Sequence, residues 1–72
     1  MGQLTGAQYD VIERAIIDQT RLMVMRRGTE FLVIPLRLIT AGRREAILAR
    51  HPSTGASLTL FLDETERIEV VR

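Results

Sequence analysis

Cysteine, tryptophan and lysine are all missing from this chain of 72 residues, and proline (2), phenylalanine (2) and tyrosine (1) are scarce. Without cysteine there are no disulfides, and without a Cys-His cluster the metal sites that staple many small domains are excluded. A chain this short makes one domain and buries a modest share of its surface, so oligomerisation is the staple left open. The shortage of rings, 4% aromatic against 46% hydrophobic residues, means that the core is built from Leu, Ile and Val. The lack of lysine makes all 10 basic residues arginine, so every cation is a planar, bidentate donor. Genome composition or a warm habitat is the plain explanation for that bias.

Long apolar runs are also absent. The longest, Phe31 to Ile34 continuing through Leu36, Leu38 and Ile39, is broken by Pro35 and Arg37 and is too short to span a bilayer. Met1-Gly2-Gln3-Leu4-Thr5 has neither the basic nor the apolar region of a secretory signal, and Gly6 stands where myristoylation wants a hydroxyl residue. The expectation is a cytoplasmic protein with no membrane partner. A net charge of +1 gives no overall field that would announce a polyanion.

What is present is a change of hydrophobic period. Tyr9, Ile12, Ala15 and Ile16 recur at helical spacing, with Asp10, Glu13, Arg14 and Asp18 mostly off the stripe. Thr5 with Gln8 reads as a capping box and Leu4 with Tyr9 as its hydrophobic staple, so a helix is predicted over 6–18. After Gln19-Thr20 the pattern alternates, with Leu22, Val24 and Arg26 against Met23, Met25 and Arg27. Strands are predicted over 21–27, 29–40, 44–51, 57–62 and 68–71, the second bending at Pro35, which cannot donate to a ladder. Turns fall at Arg27-Gly28-Thr29, Ala41-Gly42-Arg43, Pro52-Ser53-Thr54-Gly55 and Asp63 to Arg67. Leu58, Leu60 and Leu62 alternate with Thr59, Phe61 and Asp63 and mark an inner face. Short links favour an antiparallel meander whose bent second strand lets the sheet curl nearly closed. The fold class is mainly β with one N-terminal helix, an α-β-β-β-β-β, strongly bent five-stranded antiparallel barrel in a single domain, 1–72.

Arg14-Ala15-Ile16, Pro35-Leu36-Arg37-Leu38, Leu48-Ala49 and Phe61-Leu62-Asp63 leading to Ile68-Glu69-Val70 carry a resemblance. With the element order, they resemble the Sm-like (SH3-like) small barrel and, within it, the WYL domain. The name-giving Trp-Tyr-Leu aligns near Glu45-Ala46-Ile47, which lacks both aromatics, and Glu64-Thr65 replaces the Arg-Ile that normally follows Leu-Asp. The resemblance implies a regulatory module linked to transcription. Tyr9-Asp10-Val11-Ile12-Glu13 is also similar to the Tyr-Asp-x-x-Glu helix of the small antiterminator that inhibits Rho, which implies a scaffold able to bind protein.

The candidate chemistry is cationic. Arg26, Arg27, Arg37, Arg44 and Arg50, converging, would form a face that holds phosphates by bidentate hydrogen bonds; unconverged, they are solvated turns and strand edges. Only Tyr9, Phe31 and Phe61 are available to stack bases, and core is the expected place for Phe61. His51 is a single histidine and Ser53 and Ser57 flank a turn, where hydroxyls more often bond local backbone than act as nucleophiles; no catalysis, cofactor or metal is expected. Asp63, Glu64, Glu66 and Glu69 form an acidic cluster suited to an Arg patch on a neighbouring copy. Val11 and Ile17 on the helix, with Met23 and Met25 on the first strand, exceed what a small core needs and are candidates for a partner or homo-oligomer surface. The leading expectation is a non-enzymatic regulatory module that binds single-stranded nucleic acid or a nucleotide-like anion. The alternative is a protein-interaction or self-assembly module of the same fold.

Overall fold

A computed structural model describes residues 6–71 of the chain. One helix, α1 (Gly6–Asp18), precedes five strands: β1 (Arg21–Arg26), β2 (Thr29–Ala41), β3 (Arg44–Arg50), β4 (Ser57–Phe61) and β5 (Thr65–Val71). The antiparallel sheet has the order β4-β3-β2-β1-β5. The fold is thus mainly β with an N-terminal helix, a small, bent and barrel-like sheet. The Thr5–Gln8 capping box and the Leu4–Tyr9 staple involve positions outside the described residues.

α1 stops for a local reason. Gln19 adopts a left-handed φ of 55°, and the Thr20 N–H reaches back to the Ala15 carbonyl at 3.1 Å, the long-range bond of a Schellman cap. β1 and β2 are joined by Arg27 (φ 51°) and Gly28 (φ 77°). Two consecutive positive φ values are the signature of a type I′ hairpin turn.

β2 serves two ladders. Its first half pairs with β1, from Arg26↔Thr29 to Leu22↔Val33, and its second with β3, from Ile34↔Arg50 to Ala41↔Arg44. The β3 register shifts between Pro35 and Arg37, leaving Leu36 as the extra residue of a bulge. Bulges bend a strand and sharpen its twist. The predicted bend is therefore present, with Pro35 buried and the kink completed by its neighbour.

Inside the curl sit Leu22, Val24, Val33, Ile47, Ala49, Leu60 and Leu62, closed on one side by Ile12 and Ala15 of α1. Leu58, expected as core, is only partly buried against this cluster. Phe61 is also only partly buried, because α1 covers one face of the sheet and Phe61 points to the other.

The last link differs from expectation. Leu62–Glu64 is a 3₁₀ turn and β5 begins at Thr65, not Ile68. Leu62 is buried, which pulls the link inward, and the Thr65 hydroxyl donates to the Phe61 carbonyl at 3.0 Å. The polar pair Glu66 and Arg67 hides the start of the strand because both residues face solvent. Smaller differences are that β1, β3 and β4 each end one residue early and β2 runs one further.

Two stability outcomes follow. Leu60→Ala should cost about 2–5 kcal/mol, a large part of what so small a domain has to lose. Gln19→Gly, which suits the left-handed cap, should gain about 1 kcal/mol. Urea midpoints measured by circular dichroism check both.

Candidate functional site

Three of the five candidate arginines meet at one end of the barrel, where the β1–β2 turn and the start of β3 approach the 3₁₀ turn. Arg44 leaves β3 and forks onto Asp63, Nε at 2.9 Å and Nη2 at 2.8 Å, with Nη2 also 2.9 Å from Glu64. Arg26 and Arg27 approach the same Glu64 at 3.9 and 3.6 Å. Each inner guanidinium also lies over a ring. Arg44 sits 3.8 Å above the centre of Phe61, and Arg26 4.9 Å above Phe31. Here the arginines find their anions within the same chain.

The rest of the acidic cluster is likewise dispersed onto local partners. Glu66, the bulged residue opposite the Met25–Arg26 register shift, accepts the Gly28 N–H at 3.2 Å. Glu69 pairs with Arg67 at 2.6 Å. Among the described residues no group of three or more His, Cys, Asp or Glu is arranged to hold a metal ion.

Arg37 and Arg50 stand elsewhere. Arg50 lies six residues beyond Arg44 on β3, about 20 Å along the strand at ~3.3 Å per residue. Arg37 pairs with Leu48 and Arg50 with Ile34, so the two arginines stand on one face of neighbouring strands, on either side of the bulge at Leu36. Both are exposed, and neither forms an ion pair among the described residues. They share the outer face of β2–β3–β4 with Ile39, Ala46 and Leu48. Across β4, Ser57 stands opposite Arg50, Thr59 opposite Leu48 and Phe61 opposite Ala46. Arg44 with its ring closes the far end of that face.

The four apolar surface candidates do not form one patch. Val11 lines a groove with Asp10, Arg14, Asp18, Thr20 and Val70. Ile17 lines another on the opposite flank of α1. Met23 and Met25 lie on the outer face of the β1–β5 half, beside Glu30, Arg67 and Glu69. His51 belongs to its turn: its ring Nδ1 accepts the Ser53 N–H at 3.2 Å, and the Thr54 hydroxyl oxygen accepts the Ala56 N–H at 3.2 Å.

Sequence reasoning missed three features. Asp63 and Glu64 are the partners of the arginines on their own chain, Phe31 and Phe61 are rings under guanidinium groups, and Tyr9 donates a hydrogen bond to Glu45. The last ties α1 to β3 and, with partial burial and the Glu45 charge adding to it, pushes the Tyr9 phenol above its ordinary pKa. The hydrogen bonds from Arg44 hold the Asp63 carboxyl below its ordinary value. A depressed carboxylate stabilises the fold above its unfolded pKa and loses that contribution as pH falls through the folded one. In Arg44→Gln, Asp63 should therefore titrate closer to the ordinary aspartate value, and the part of the wild-type advantage that comes from the Arg44–Asp63 pair should be lost on acidification. A carboxyl-detected NMR titration of both proteins checks this.

No family model and no curated protein matches the sequence. Among solved structures the chain is similar to proteasome accessory factor B/C (PafBC) of Arthrobacter aurescens, with a TM-score of 0.75 and 26% identity. The match covers 96% of this chain and 12% of that one, so the chain corresponds to a small part of the larger protein. No helix among the described residues is long and apolar enough to cross a membrane. The likeness to PafBC over nearly the whole chain supports a WYL-like fold.

Proposed function

We propose that this domain is a non-enzymatic regulatory module whose ligand is single-stranded nucleic acid or a nucleotide-like anion, held on the outer face of β2–β3–β4. The observation that carries the reading is that Arg37 and Arg50 are both exposed on one face of β2–β3 and that neither forms an ion pair among the described residues. Two guanidinium groups on long side chains of adjacent strands can converge on one phosphate and hold it by charge-assisted, bidentate hydrogen bonds. The exposed hydroxyls of Ser57 and Thr59 lie on the neighbouring strand and can donate to the same group.

Along the face toward Arg44 the chemistry becomes planar. Arg44 is held over the Phe61 ring by its fork to Asp63, so its outward side can offer a guanidinium plane on which a base stacks. Phosphate at one end and a base platform about 20 Å away along β3 is a span that several nucleotides of a single strand cover, while a small nucleotide-like anion would use the Arg37 and Arg50 end alone. Arg26 and Arg27 are assigned a structural part, because their carboxylate partner already occupies the position a phosphate would take. The WYL-like fold supports the regulatory half of the reading, with the effect passed to whatever protein carries or contacts the domain.

Fluorescence anisotropy with labelled single-stranded DNA and RNA tests it. Wild-type binding should weaken steeply with salt as counterions are released. Arg37→Glu and Arg50→Glu should each weaken it about tenfold or more and lower the salt slope by about 1 or more. Arg26→Glu should leave the slope nearly unchanged. If reversing both Arg37 and Arg50 left the titration as it was, this face would not be the ligand site.

A further inference from the structure

A different surface carries a second assignment. α1 and the second half of β2 diverge to leave an open groove of about 480 Å³, lined by Glu13, Ile16, Ile17, Arg37 and Leu38. Ile16 and Leu38 form its floor and pack on the core. Ile17 is 76% exposed. Leu36, the bulged residue beside Arg37, is 37% exposed, and these two are the large hydrophobic residues left exposed among the described residues. Ile17 lines the groove, and Leu36 lies between Pro35 and Arg37 of its sheet side, on a chain with no cysteine to form a disulfide.

The rims of the groove are charged in opposite senses. Glu13 stands on the helix side and Arg37 on the sheet side, and neither forms an ion pair among the described residues. A surface with a cation on one side, an anion on the other and apolar residues between is complementary to itself. A two-fold axis through its centre brings each Glu13 against the Arg37 of the second copy and lays the Ile17 side chains together over the groove. The acidic and basic groups at the barrel end satisfy each other within one chain, so that cluster is not on offer to a neighbouring copy.

We infer that a second copy of this chain occupies the groove, forming an isologous dimer through α1 and the bulge of β2. The face is small, so the dimer is weak and concentration-dependent, at the lower end of specific interfaces. Arg37 borders both this groove and the ligand face, but the inference does not rest on ligand binding. It is read by mass in the absence of nucleic acid, where Arg50→Glu should have no effect.

Sedimentation velocity over micromolar to near-millimolar concentration tests the dimer, with circular dichroism to confirm that each variant is folded. The wild-type average mass should rise from the monomer toward twice that value. Ile17→Glu, which places a carboxylate on the apolar seam, should weaken association about tenfold or more. Glu13→Arg and Arg37→Glu should each weaken it, because each sets like charges opposite one another. An equimolar mixture of those two variants should associate more strongly than either alone, since across the axis both pairs then have opposite sign. A wild-type chain that stays monomeric throughout would overturn the dimer. So would undiminished association of Ile17→Glu, or a mixture no stronger than its components.

Discussion

β2 is a single strand of 13 residues that must pair with β1 at one end and with β3 at the other, and the rest of the molecule depends on how it turns between them. Pro35 has no N–H to give to the ladder, and Leu36 is the added residue that opens the angle. Once the strand is bent, the two halves of the sheet face each other across Leu22, Val24, Val33, Ile47 and Leu60. One helix then suffices to cover the gap. The same bulge leaves Leu36 exposed beside Arg37, so the device that makes the core also shapes the surface.

The charges divide along the same geometry. Where the sheet curls back on itself, the 3₁₀ turn between β4 and β5 carries Asp63 and Glu64 to Arg26, Arg27 and Arg44. Exposed ion pairs taken singly contribute little. Here they share one carboxylate and two rings, so their main effect is to fix the orientation of Arg44. On the outer face no carboxylate or ring among the described residues meets Arg37 or Arg50. Identical side chains thus have two roles, decided by whether the fold brings a carboxylate to them.

The helix, the alternation in β1 and β4 and the bend at Pro35 were legible because each writes a local period or a residue with a single backbone preference. β5 was legible only in its second half. Glu66 and Arg67 both face solvent and read as part of a turn until Thr65 is seen hydrogen-bonded to Phe61. Phe61 was expected in the core although it lies opposite the Leu58, Leu60 and Leu62 face, because a barrel can be buried on both faces and a sequence does not say that only one face of the sheet receives a helix. The convergence of arginines was half legible. Neighbours in sequence, Arg26 and Arg27, remained together, but whether Arg44 or Arg50 joined them depended on the register and length of β3. The intrachain partners Asp63 and Glu64 are 19 and 20 residues from Arg44, a pairing that no local pattern encodes.

The central claim is that free arginines on the outer face, and not paired arginines at the barrel end, meet an anion. Two-dimensional amide NMR during titration with inorganic pyrophosphate tests it most directly. The account predicts saturable shifts clustered at Arg37, Leu48, Arg50, Ser57 and Thr59, with Arg26 to Gly28 and Asp63 to Thr65 nearly still. Shifts concentrated at the latter two segments would contradict it, because they would mean that the anion displaces the carboxylates of the 3₁₀ turn.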